Sequence, residues 1–98
     1  MQIELIGEYE VTLTPGGAPA LTIHHLIRGH DVATMSLAEA HALRDELAVS
    51  QKRIREIGGY RAIFGGAGDL TLYSASGARA CYLNGDQTAQ LGRLLAAI

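Results

Sequence analysis

The feature that most constrains this chain is an internal near-repeat of about half its length. Gly16-Gly17-Ala18-Pro19-Ala20-Leu21-Thr22-Ile23 aligns with Gly65-Gly66-Ala67-Gly68-Asp69-Leu70-Thr71-Leu72 at an offset of 49. One residue then drops out. At an offset of 48, Gly29 falls on Gly77, Met35 on Leu83, Ser36 on Asn84, Glu39 on Gln87, Leu43 on Leu91 and Leu47 on Leu95. The matches lie on turns, caps and apolar positions, which specify a backbone rather than its surface. With 98 residues, one compact domain is expected, made of pseudo-repeats 1–57 and 60–98.

Within the first unit, Ile3, Leu5, Gly7, Tyr9, Val11 and Leu13 alternate with Glu4, Glu8, Glu10 and Thr12. Such alternation predicts one long strand with its apolar residues on one face and Gly7 at a bulge. Thr14-Pro15-Gly16-Gly17 supplies a turn, because proline presets φ and glycine admits positive φ. Leu21–Ile27 reads as a second strand, Arg28-Gly29-His30-Asp31 as a tight turn, and Val32–Met35 as a short third strand. Ser36-Leu37-Ala38-Glu39 has the form of a capping box at a helix start. Ala40, Leu43, Leu47, Ser50, Ile54 and Ile57 then follow a three-four spacing, which predicts a long helix ended by Gly58-Gly59. Lys52, Arg53 and Arg55 would sit in its closing turns, where cations suit the helix dipole.

The second unit repeats the order, with strands expected near 60–64, 70–74 and 79–83. A box-like helix start follows at Asn84-Gly85-Asp86-Gln87, with a stripe of Leu91, Leu94, Leu95 and Ile98. A strand-rich unit with one amphipathic helix buries its apolar face most simply by laying the helix on an antiparallel sheet. The expected fold is therefore α+β: antiparallel sheet or sheets with two helices packed on one face, built from a duplicated β-β-β-α unit. Either one six-stranded sheet or two sheets related by a pseudo-twofold axis would satisfy it.

Charge divides along the same line. The formal net charge of −2 conceals −5 over residues 1–49 and +3 over residues 50–98. Such asymmetry can steer a charged partner or align two copies of the chain. No stretch approaches the ~20 apolar residues of a membrane helix. Met1-Gln2-Ile3-Glu4 lacks the basic start of a signal peptide. A lone cysteine, Cys81, excludes an internal disulfide framework. Together these predict a cytoplasmic protein that does not engage membranes.

Sites for chemistry are weakly supported. His24, His25, His30 and Asp31 cluster in sequence, but adjacent strand residues point to opposite faces, so His24 and His25 cannot share an ion without a bulge. No metal or other cofactor is expected. The Gly65–Gly68 run leads into a predicted strand, whereas a phosphate loop leads into a helix N-terminus. Cys81 falls where Ala33 stands in the first unit, the setting of a small buried thiol rather than a nucleophile. No Gly-x-Ser-x-Gly elbow is present. Glu8 and Glu10 read as charges that protect a sheet edge. The chain is expected to be non-enzymatic.

Binding suits the pattern better. If Leu21, Ile23, Leu70 and Leu72 face the helices, then Thr22, His24, Thr71 and Tyr73 line the opposite sheet face, and Tyr82 has the parity to join them. Arg61 and Arg79 lie nearby in sequence. An open face mixing Thr, Tyr, His and Leu26 suits a protein partner or a second copy of the chain, a homodimer included. Small adaptors, inhibitors and accessory proteins of mobile elements share this profile. The alternative is a platform for single-stranded nucleic acid, with bases stacking on Tyr73 and Tyr82 and phosphates meeting Arg61 and Arg79. In architecture the tandem strand-strand-strand-helix units resemble the PUR-type single-strand binders. The motifs of that family are absent, and net acidity opposes strong phosphate binding.

Overall fold

The computed structural model describes residues 1–49 and 51–98. Its elements are β1 (Gln2–Ile6), β2 (Tyr9–Leu13), β3 (Leu21–His25), β4 (His30–Met35), α1 (Leu37–Leu47), β5 (Arg53–Ile57), β6 (Tyr60–Phe64), β7 (Leu70–Tyr73), β8 (Arg79–Leu83) and α2 (Gly85–Leu95). The strands form two four-stranded antiparallel meanders, β1-β2-β3-β4 and β5-β6-β7-β8, each followed by a helix. The fold is α+β and duplicated. Each unit, however, has four strands rather than three.

Two glycines account for the extra strand. Gly7 (φ +60°) and Gly58 (φ +59°) occupy the left-handed region and open tight hairpins closed by the pairs Ile6↔Tyr9 and Ile57↔Tyr60. Glycine at the first position of a two-residue turn is what a hairpin matched to strand twist requires. The single strand expected over residues 3–13 is thus two strands, and the turn resets the alternation. Tyr9, Val11 and Leu13 face the core with Ile6, while Ile3 and Leu5 point outward, 55% and 62% exposed.

The long helix is likewise corrected. α1 ends at Leu47, and residues 53–57 form β5, paired with β6. Ser50, the middle of the proposed stripe, lies outside the described residues. Ile54 and Ile57 are three apart and so fit a helix, but on a strand that spacing puts Ile54 outward and Ile57 inward, as found. Gly58 turns a hairpin instead of capping a helix. The segment has a counterpart in the other unit: Arg53–Ile57 stands where Gln2–Ile6 stands in the first unit.

Both helix starts follow the sequence reading. Ser36 Oγ accepts from the Glu39 N–H (3.2 Å) while the Ser36 N–H donates to the Glu39 carboxylate (2.8 Å). Asn84 and Gln87 exchange the same bonds at 2.9 and 3.0 Å. Each box satisfies helix N–H groups that would otherwise lack partners.

The two units are interlocked through reciprocal contacts. The Tyr82 N–H of β8 donates to Tyr9 Oη (3.2 Å), and the Thr34 N–H of β4 donates to Tyr60 Oη (2.9 Å). Tyr9 and Tyr60 are equivalent, as are Thr34 and Tyr82. The hairpin glycines do the same: a side chain on Gly7 would meet Gln87, and one on Gly58 would meet Glu39. Each helix touches the last strand of its own unit and the first strand of the other, and the helices touch each other. Inward residues of both sheets and both helices form one hydrophobic cluster, including Leu13, Leu21, Ile23, Met35, Leu43, Leu70, Leu72, Leu83, Leu91 and Leu95. Arg53 adds a further tie. It donates to the carbonyl of Glu46 in the last turn of α1 and to that of Val49 just past it, and its guanidinium lies 4.7 Å from the Phe64 ring centre. The cation expected in the last helical turn thus serves that helix end from the next strand. Among the described residues, no helix is long and apolar enough to cross a membrane.

Two expectations follow from the interlock. Tyr9→Phe and Tyr60→Phe should each lower unfolding free energy by about 1 kcal/mol, the net value of one hydrogen bond. Urea titration checks that the two losses are alike, with Tyr73→Phe as a near-neutral control. Gly58→Ala should cost ~1 kcal/mol or more, through strained φ and displacement of the Glu39 cap, while Gly59→Ala, with open space around it, should be within about 0.5 kcal/mol of wild type.

Candidate binding surface on the outer sheet faces

Because each sheet buries one face, its cross-strand partners on the other face form solvent-facing rows. On the first sheet these rows are Ile3–Thr12–Thr22–Thr34 and Leu5–Glu10–His24–Asp31. On the second they are Ile54–Ile63–Thr71–Tyr82 and Glu56–Arg61–Tyr73–Arg79. The binding residues expected from sequence therefore divide. Thr22 and His24 lie on the first face, while Arg61, Thr71, Tyr73, Arg79 and Tyr82 come together on the second.

A bulge in each sheet makes this possible. Register shifts between Ile23 and His24 opposite β4, and between Leu72 and Tyr73 opposite β8, so Val32 and Ala80 are the extra residues. Without the insertions, Asp31 would share a face with buried Ala33, and Arg79 with buried Cys81. With them, the aliphatic Val32 and Ala80 pack on the core and both charged side chains turn outward. Asp31 then meets His24 (Nδ1–Oδ1 2.8 Å), and Arg79 stands opposite Tyr73.

On the second face, Arg61 Nε donates to the Glu56 carboxylate at 2.8 Å. Tyr82 is 41% exposed and Ile54 57%. At one end, the Gly58-Gly59 turn and the 74–77 turn flank an open depression of about 560 Å³ over Glu56, Arg61, Ile63 and Tyr73. Sequence reasoning passes over Ile54, Glu56 and Ile63. The first two sat in the supposed helix, and the match of Ile3, Ile6, Gly7 and Tyr9 to Ile54, Ile57, Gly58 and Tyr60 was the signal that could have found them.

The other candidates resolve into structural roles. His24 and His25 point to opposite faces. His25 is buried edge-on to the Tyr9 ring (centroids 5.1 Å apart), its Nδ1 accepts from the Arg28 N–H, and its Nε2 lies 3.3 Å from Glu8. Among the described residues no group of three or more His, Cys, Asp or Glu is placed to hold a metal ion. Gly65–Gly68 turns a hairpin into β7, with the Gly65 N–H donating to the Asp69 carbonyl (3.0 Å). Cys81 is buried, and desolvation pushes its thiol up from the ordinary 9.0 to about 12.

No protein-family profile, curated protein or solved structure matches the chain.

Burial of Cys81 has a direct consequence. A thiol whose folded pKa is raised is held neutral, so its contribution to stability is present below pH 9 and lost as pH climbs towards 12. A thiol-specific reagent at neutral pH should label the native protein at least ~100-fold more slowly than the urea-unfolded chain, because only the exposed thiolate reacts. Comparable rates would place Cys81 at the surface.

Proposed function

We propose that this chain is a non-enzymatic protein-binding module working in the cytoplasm, and that its working surface is the outer face of the second sheet. The observation that carries the reading is the composition of that face. Tyr73, Tyr82, Ile54 and Ile63 lie among Arg61 and Arg79 on a rigid platform. Tyrosine and arginine are the residue types that concentrate binding energy at protein interfaces, and the aliphatic pair supplies apolar area beside them. A sheet fixed from behind by a packed core loses little conformational entropy on docking. The role fits an adaptor or inhibitor, acting by occupying a surface.

A second reading, single-stranded nucleic-acid binding, is favoured by the bulge that sets Arg79 opposite Tyr73 with Arg61 on its other side. Two features weigh against it. Glu56 already engages Arg61, and the row beside Tyr73 (Ile54, Ile63, Thr71 and Tyr82) carries no cation for phosphates.

The test pairs two measurements. Affinity capture from native-host extract, repeated with Tyr73→Ala/Tyr82→Ala, should yield a protein that the variant retains at least ~10-fold less well, since losing two aromatic anchors commonly costs that much or more. Fluorescence anisotropy with labelled single-stranded DNA and RNA should show no saturable binding at 50 mM salt. Salt-sensitive oligonucleotide binding abolished by the same variant would replace the first reading with the second.

A further inference from the structure

The two outer faces carry opposite charge at equivalent positions, and neither unit alone would reveal this. Glu10 of β2 stands where Arg61 stands on β6, and Asp31 of β4 where Arg79 stands on β8. Between them lie His24 on one face and Tyr73 on the other. At the edge, Ile3 and Ile54 are equivalent and both exposed. The duplicated backbone thus presents one geometry twice, once with carboxylates and once with guanidiniums.

We infer that the partner of the second face is the first face of another copy of this chain, docked sheet on sheet. The proposal rests on the reading of the outer faces as protein-docking surfaces. Like rows of the two sheets match in width and twist because they are the same fold. With one copy turned over and strand order kept, the charged rows lie along one another, opposing Glu10 to Arg61 and Asp31 to Arg79 and setting Leu5 over Glu56. Two first faces, or two second faces, would instead meet with like charges, so the contact is heterologous rather than self-complementary. Glu56 offsets part of the basic charge, and its bond to Arg61 must be exchanged on docking.

The size of the face sets the strength. Four strands ~4.8 Å apart and five residues long at ~3.3 Å each give a platform of roughly 19 by 17 Å, about 320 Å² a side, which is below the ~800 Å² per partner of a stable specific interface. Association is therefore weak, dynamic and sensitive to salt. Because every copy keeps one unused face of each sign, the contact propagates into chains of copies unless the rotation closes a ring.

Sedimentation equilibrium tests this. At ~20 mM salt the weight-average mass should rise with concentration above the 10.4 kDa of one chain, and at ~0.5 M salt, where screening is strong, it should return towards that value. Arg61→Glu/Arg79→Glu makes both faces acidic, and Glu10→Lys/Asp31→Lys makes both basic. Each variant alone, its fold verified by circular dichroism, should stay monomeric at low salt. An equimolar mixture should associate again, because each face then finds its opposite. A wild-type protein that stays at one chain's mass up to ~1 mM at low salt overturns the inference, as does association that both variants retain. Neither result touches the reading of the outer faces as protein-docking surfaces, which the capture experiment tests separately.

Discussion

Everything in this fold depends on an exchange between its halves. Each unit offers a tyrosine hydroxyl to a backbone N–H on the edge strand of the other, and each hairpin glycine lies against the capping side chain of the other unit's helix. A four-stranded meander with one helix exposes two edges and an incompletely covered core, so one unit would be marginal by itself. The exchange treats both defects together. β4 and β8 each have an edge N–H accepted by a tyrosine, and β1 and β5 are each approached by the helix of the opposite unit, with Gln90 also donating to the Leu5 carbonyl. Sequence duplication and stability are thus one matter here, since the second copy completes the first.

Much of this was legible in the residues. The repeat, the two capping boxes, the inward parity of Leu21, Ile23, Leu70 and Leu72 and the hairpin character of Gly65–Gly68 all rest on strong local signals. What escaped was the number of strands. Gly7 within an alternating run looks like a bulge, and nothing local separates a bulge from a two-residue turn, because both use a glycine at positive φ. A separate ambiguity extended α1, because Ile54 and Ile57 satisfy helical spacing although on the strand they face opposite sides.

The outer faces were half legible. Parity placed Thr71, Tyr73 and Tyr82 on the solvent side, but the path of Arg79 depends on the insertion at Ala80, which carries no composition signal. The contrast between the two faces was present in the charges of the halves from the start. It became meaningful only when cross-strand register set Glu10 and Arg61, and then Asp31 and Arg79, at matching places.

The paired bulges carry one more implication. By taking charged residues off the buried side of β4 and β8, they separate the half of each strand that builds the core from the half that meets the outside. Substitutions on an outer row leave the helix-facing row untouched, so the chemistry of one outer face can change while the other sheet keeps its own. Two copies of one scaffold have in this way become two independently tunable surfaces on a single short chain.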